Sequence, residues 1–166
     1  QGDLDSYLKK AGIPGVYGVD TRALTRMIRE KGVMNGAITS DPAGVDMEAL
    51  RAYRVTGAVP AVTVRKVETV NAEKERLRVV LMDFGMKDNI LRSLVRRGCT
   101  VTVVPAETPA SDIIAMRPDG IMLSNGPGDP QENIAVIEEL KKLSRSGIPI
   151  FGICLGHQLM ALAHGF

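Results

Sequence analysis

Cys154 is the residue of this chain whose surroundings most favour chemistry. It lies at the centre of Gly-Ile-Cys-Leu-Gly (152–156), after an apolar run at 148–151 that predicts a buried strand. The residues that follow, 158–163, are good helix formers. Glycines on both sides of a cysteine between strand and helix are typical of a sharp turn that presents a nucleophile. The positive end of the helix favours the reactive thiolate, whereas a small buried hydrophobe is the structural alternative.

A second candidate segment is the loop Ser-Asn-Gly-Pro-Gly-Asp-Pro at 124–130. Its glycines and prolines predict a rigid loop whose N–H groups can approach a ligand, although a plain tight turn fits the same residues. It follows an apolar strand at 120–123, one helix crossover before the cysteine turn, so we expect the two loops to be neighbours. A donor loop beside a nucleophile is what an oxyanion hole requires.

The elements that must position these loops alternate between strand and helix from residue 78 onward. Amphipathic helices separate near-continuous apolar strands, which indicates an α/β fold: an open parallel sheet with helices on both faces. Ligands of such sheets bind beyond the carboxyl ends of the strands, where both loops fall. The predicted strands lie at 79–82, 101–104, 120–123 and 148–151.

The first part of the chain has a different pattern and indicates part of a smaller α+β domain. The charged stretch at 71–76 reads as a connector, so we assign one domain to residues 1–74 and a second to 75–166. The elements predicted before the connector are a helix from Asp20 through Lys31, a strand at 36–39, a helix at 46–53 and strand-like alternation near Val62 and Val64.

Composition excludes several classes of function. The net charge of +2 and the scattered Lys and Arg residues argue against nucleic-acid binding. No apolar run is long enough to cross a bilayer and no signal peptide is recognisable, so neither a membrane protein nor a secreted one is expected. Cys99 and Cys154 have no metal-ligand spacing. A reducing cytoplasm fits these observations.

Residues 152–158 together with 124–130 resemble the class I (triad) glutamine amidotransferases. Residues 20–26, 29–32 and 35–36 resemble the later part of the amino-terminal domain of the carbamoyl-phosphate synthetase small subunit, and residues 83–92 are similar to the first strand and helix of that family's amidotransferase domain. The resemblance extends over essentially the whole chain.

The resemblance implies a role for five residues. Cys154 matches the nucleophile that attacks L-glutamine and forms a glutamyl thioester, and Leu155 matches a backbone donor to the oxyanion. Gly126 and Gly128 match the loop that contacts glutamine and completes the oxyanion hole. Gln158 matches a residue that lines the glutamine pocket. A bulkier residue at Gly128 should then lower turnover more than folding stability.

The resemblance also implies what lies elsewhere. The family's catalytic histidine and its acidic partner match positions beyond Phe166, and His157 does not match that base, so these 166 residues alone are expected to lack significant glutaminase activity. The ammonia acceptor is a large synthetase subunit. No cofactor is expected on this chain, since ATP and magnesium belong to that partner.

Three other interpretations stay open at this point. The cysteine turn is shared with anthranilate synthase and related amidotransferases. Cysteine-turn folds also serve peptidases and chaperone-like proteins, against which the glycine loop argues. A third interpretation is a non-catalytic module that docks a large partner.

Overall fold

The structure is a computed structural model that describes residues 2–166, and it divides into two compact units. The first unit ends at Arg54, and the second comprises Val55–Phe166. Within the described residues, all strands and all fully buried side chains belong to the second unit. No helix in the described part of the chain has the length and apolarity needed to span a bilayer.

The first unit is helical. An aspartate precedes each helix, and its carboxylate accepts hydrogen bonds from N–H groups of the first turn, which would otherwise lack partners. The predicted helix after Asp20 is confirmed, including its end at Gly32, which has a φ of +81°. The helices are α1 (Leu4–Ala11), α2 (Thr21–Lys31) and α3 (Met47–Ala52), with a 3-10 turn at Pro42–Gly44.

The expectation of a strand at 36–39 is wrong, because these residues have no regular structure. A strand needs a partner for its backbone groups, and the described first unit contains none. The nearby Asn35 instead donates its side-chain amide to the carbonyl oxygens of Leu50 and Tyr53, each at 2.9 Å.

The second unit is built on a five-stranded sheet with the order β1-β3-β2-β4-β5. The four strands β2 to β5 are parallel, as predicted, and β1 adds an antiparallel edge strand beside β3. The strands are β1 (Glu68–Val70), β2 (Leu77–Asp83), β3 (Cys99–Pro105), β4 (Gly120–Leu123) and β5 (Ile150–Gly152). The helices are α4 (Ala58–Val62), α5 (Asp88–Arg96), α6 (Ala110–Ala115), α7 (Ile134–Leu143) and α8 (Leu155–Ala163).

Helices cover both faces of this sheet, which confirms the predicted α/β architecture. Helix α5 packs on one face, where Leu81 and Val101 are buried. Helices α6, α7 and α8 pack on the other, where Met82 and Leu123 are buried. Alternate residues of β2 therefore enter two different cores, which explains why residues 79–82 are apolar without interruption.

Residues 55–74 pack within the second unit. Val59 of α4 is buried in its core, and β1 pairs with β3. The strand-like alternation near Val62 and Val64 is a wrong prediction, since Val62 ends a helix. The division between the compact units thus lies upstream of the charged connector at 71–76. The assignment of 1–74 and 75–166 to two domains of the family stays a prediction.

Glu139 of α7 gives the fold a pH dependence that can be measured. One of its carboxylate oxygens accepts from Lys142 Nζ at 2.6 Å, and the other accepts from the N–H of Ala110 at 2.8 Å, at the start of α6. The Lys142 hydrogen bond, and next the Ala110 N–H, lower the pKa of Glu139 from its ordinary value of 4.5. Because the folded pKa is the lower one, the stabilisation is complete above about pH 4.5 and is lost as pH falls through the folded pKa.

We expect Glu139→Gln to lower the free energy of unfolding at pH 7 by up to about 1 kcal/mol, and the difference to vanish in acid. Urea unfolding across this pH range is the measurement. Glu138→Gln is the matched control, because Glu138 pairs with Lys141 at the same spacing but, within residues 2–166, accepts no helix N–H. Equal pH profiles for the two variants would contradict the role given to Ala110.

Candidate active site

The two candidate loops leave adjacent parallel strands. Strands β4 and β5 are paired, with Leu123 opposite Gly152, and the N–H of Ile153 continues the pairing to Leu123 O at 3.0 Å. The loop at 124–130 and the turn at Cys154 therefore begin at the same edge of the sheet. The prediction that they follow neighbouring strands is confirmed.

The turn at Cys154 has strained backbone geometry. Cys154 has φ +50° and ψ −109°, and α8 begins at the next residue. Positive φ is disfavoured for a residue with a side chain, and such strain is typical of functional sites. The sequence prediction of a sharp turn between strand and helix is confirmed.

The flanking glycines are required by close packing. A Cβ at Gly152 would lie 2.7 Å from the backbone of Gly156 and of His157. A Cβ at Gly156 would lie 2.6 Å from both Cβ and O of Leu123. These neighbours are mostly backbone atoms, so no side-chain rotation could relieve the overlap.

Cys154 is exposed, whereas Cys99 is buried. The N–H of Leu155, the first residue of α8, makes no hydrogen bond within residues 2–166, while that of Gly156 donates to Ser124 O at 3.1 Å. A free backbone donor thus directly follows the thiol at the start of a nine-residue helix. This arrangement suits a negative charge that develops on a bound group.

Hydrogen bonds tie the glycine loop to the segment that follows β2. Ser124 is fully buried, and its hydroxyl accepts from the N–H of Phe84 at 2.8 Å and donates to Asn125 O at 2.7 Å. The side chain of Asn125 donates to Gly85 O and accepts from the N–H of Lys87, both at 3.1 Å. Sequence reasoning gave no role to Ser124 or Asn125, because their partners lie about forty residues earlier in the chain.

The glycines of this loop are packed closely. A Cβ at Gly126 would overlap Phe84 O and would lie 2.7 Å from Leu155 Cδ2, so Gly126 contacts the residue that follows the nucleophile candidate. Gly128 has a φ of +87°, which favours glycine. Within residues 2–166, neither glycine N–H has a hydrogen-bond partner. Neither donor is therefore occupied by the protein itself.

A groove of about 600 Å³ opens beside Cys154, between α5 and the carboxyl ends of β4 and β5. Its walls include Lys87, Arg97, Asn125 and Ile153. The strand order reverses between β2 and β4, so the groove lies where open α/β sheets bind ligands. The sequence indicated this edge of the sheet but not the part that α5 contributes.

The other predicted site residue and the two histidines lie on or just after α8. Gln158 is exposed one turn beyond the cysteine, and its N–H donates to Cys154 O at 3.0 Å. His157 is exposed, and His164 is 3.3 Å from the hydroxyl of Ser144. In the part of the chain that the structure describes, Cys154 Sγ makes no hydrogen bond to either histidine, and no cluster of side chains suits a metal ion.

Two family models match this chain, one in each of the two parts that differ in sequence pattern. The family model "Glutamine amidotransferase class-I" matches residues 80–166, more than half of the chain. The model "Carbamoyl-phosphate synthase small chain, CPSase domain" matches residues 1–38. The resemblance stated from the motifs is therefore confirmed.

Full-length relatives agree with these matches. The carbamoyl phosphate synthase small chain of Polynucleobacter asymbioticus is 43% identical over 98% of this chain and 48% of its own length. That of Listeria monocytogenes serotype 4b is 46% identical over 98% of this chain and 45% of its own length. The chain thus spans about half the length of these curated relatives.

A solved structure described as a GMP synthase component from Thermoplasma acidophilum has a TM-score of 0.48 and 27% identity, covering 56% of this chain and 47% of that one.

Proposed function

We propose, since this chain belongs to the class I glutamine amidotransferase family, that it supplies the nucleophile and oxyanion-binding groups for glutamine hydrolysis. The observation that carries the proposal is the strained turn at Cys154, which is followed directly by the unpartnered N–H of Leu155. The glycine loop on the neighbouring strand supports it.

The chemistry follows from the atoms at this edge of the sheet. The thiolate of Cys154 attacks the carboxamide carbon of glutamine, and the carbonyl electrons move to oxygen. The N–H of Leu155 and an N–H of the glycine loop at Gly126 or Gly128 stabilise this oxyanion. When it collapses, the C–N bond breaks, and the nitrogen takes a proton and leaves as ammonia. Water then hydrolyses the thioester to glutamate and regenerates the thiol.

The proton transfers require a base, for which we propose a residue outside the described chain. Within residues 2–166 neither histidine is hydrogen-bonded to Cys154 Sγ. Gln158, on the first turn of α8, is proposed to line the glutamine pocket.

We further propose that the whole protein is the small subunit of a carbamoyl-phosphate synthetase. The match at residues 1–38 supports this over an anthranilate-synthase type of amidotransferase, because the matching model describes the CPSase domain of that small chain. The ammonia then passes to a large synthetase subunit, which binds ATP and magnesium. A reducing cytoplasm, in which a free thiol persists, suits this chemistry.

Labelling with a diazoketone analogue of glutamine tests the proposal in the full-length protein. The diazo carbon of the analogue takes a proton, and the thiolate then displaces dinitrogen and forms a thioether, so mass spectrometry identifies the labelled residue. We expect label on Cys154 and protection by glutamine, with the buried Cys99 as an internal control. Equal labelling of the two cysteines, or labelling of Cys154 that glutamine does not slow, would refute the proposed glutamine site.

A further inference from the structure

We propose that helix α4 positions the glycine loop for glutamine hydrolysis, with Ala58 as the positioning residue that contacts Gly128. This inference rests on the function proposed above. Helix α4 lies outside both matched segments, 1–38 and 80–166, so neither family match gives it a role.

Helix α4 is held firmly against the sheet. Val59 is buried in the core. Directly after the helix, the hydroxyl of Thr63 donates to Asp83 O at 2.6 Å and accepts from the N–H of Ala106 at 3.0 Å. The N–H of Val64 donates to the buried carboxylate of Asp83 at 2.8 Å. The helix is therefore joined to the carboxyl ends of β2 and β3.

The same helix contacts the glycine loop and the segment to which that loop is bonded. A Cβ at Gly128 would lie 2.9 Å from Ala58 Cβ, and nothing else lies within 4 Å. A Cβ at Gly85 would lie 2.8 Å from Val62 Cγ2 and 3.1 Å from Pro127 Cδ. Ala58 thus limits how far the loop can move toward α4, and Val62 packs against the segment to which the loop is bonded.

This limit matters because the free donors lie in the same loop. Gly126, which packs between Phe84 and Leu155, is joined to Gly128 by Pro127 alone, so we expect a shift at Gly128 to move the N–H groups of both glycines relative to Cys154. A displacement of about 1 Å in a catalytic group can cost about 100-fold in rate. The contact between Ala58 and Gly128 therefore controls donor geometry without touching the substrate.

A double-mutant cycle in the full-length protein tests the contact. Gly128→Ala places a methyl group against Ala58, and we expect kcat for glutamine hydrolysis to fall about 10- to 100-fold with KM within about threefold. Adding Ala58→Gly removes the opposing methyl group and should restore kcat at least about fivefold, with full recovery limited by the φ of +87° at Gly128. Adding Ala61→Gly instead is the matched control, because Ala61 is exposed on the same helix.

Two further readouts separate positioning from folding. Alkylation of Cys154 by iodoacetamide does not use the donors of the glycine loop. The rate of alkylation should therefore be equal in all variants. If Gly128→Ala folds poorly, Ala58→Leu is the second test, because the larger side chain presses on the loop from the helix side and should also lower kcat. Ala61→Leu should leave kcat unchanged.

The outcomes distinguish this inference from the function on which it rests. A parent protein without glutaminase activity would refute the proposed function, and the inference with it. An active parent with equal kcat in the two double variants would refute only the role of α4. A rise in KM at constant kcat in Gly128→Ala would also refute it, since Gly128 would then act on substrate binding.

Discussion

Cys154→Ser is expected to lower glutamine hydrolysis by at least about 10⁴-fold, because a hydroxyl is a far weaker nucleophile than a thiolate. The substitution is nearly isosteric and keeps the turn between β5 and α8, so the oxyanion donors stay in place. In the full-length protein with the synthetase partner proposed above, carbamoyl phosphate synthesis from added ammonia should persist. Steady-state assays with glutamine and with ammonium chloride are the measurement.

The matched control for this substitution is Cys99→Ala, which removes the chain's other cysteine sulfur from a core position. It should lower the melting temperature modestly and leave glutamine turnover unchanged. A serine variant at Cys154 that kept glutaminase activity near that of the parent would reduce Cys154 to a packing role.

Gly126→Ala is expected to lower turnover by about 10²- to 10³-fold, the loss typical of removing one oxyanion donor. The new methyl group would overlap Phe84 O and lie 2.7 Å from Leu155 Cδ2. Because a backbone oxygen cannot rotate away, the loop must move and carry its N–H groups with it. Overpacking of this kind typically costs about 1–3 kcal/mol of stability.

Gly120→Ala is the control for Gly126→Ala. Gly120 lies in β4, at the start of the strand that leads to the same loop, and a Cβ there would meet only Pro149 O, at an ordinary 3.6 Å. Turnover should stay within about twofold of the parent. Glutaminase assays and thermal unfolding compare the two variants, and similar turnover would mean that the loop does not set the rate.

The sequence predicted the elements whose pattern is long and regular. Strands β2, β3 and β4 are mostly apolar runs that alternate with amphipathic helices, so their buried positions could be recognised without knowing their partners. The residues around α4 were misleading, because Val62 and Val64, two residues apart, resemble an alternating strand. That five-residue helix depends on the burial of Val59 and on the bonds of Thr63, which are tertiary effects that override local propensity.

The same distinction holds at the candidate site. The turn at Cys154 could be predicted because glycines on both sides of a cysteine permit a sharp turn, and these glycines can be read directly from the sequence. The bonds from Ser124 and Asn125 to residues 84–87 could not, since serine and asparagine suit any polar loop. Only the pairing of β2 with β4 brings these partners together.

The positive φ of Cys154 has a consequence for how the protein loses function on heating. A strained residue of this kind costs about 1–3 kcal/mol and persists only while its surroundings hold it. Here the restraint comes from α8, through buried Leu155 and Leu159 and the bond from Gly156 to Ser124. Local opening of this helix would relax the turn without unfolding the rest of the sheet. We therefore expect the proposed activity to be lost on heating before the fold is.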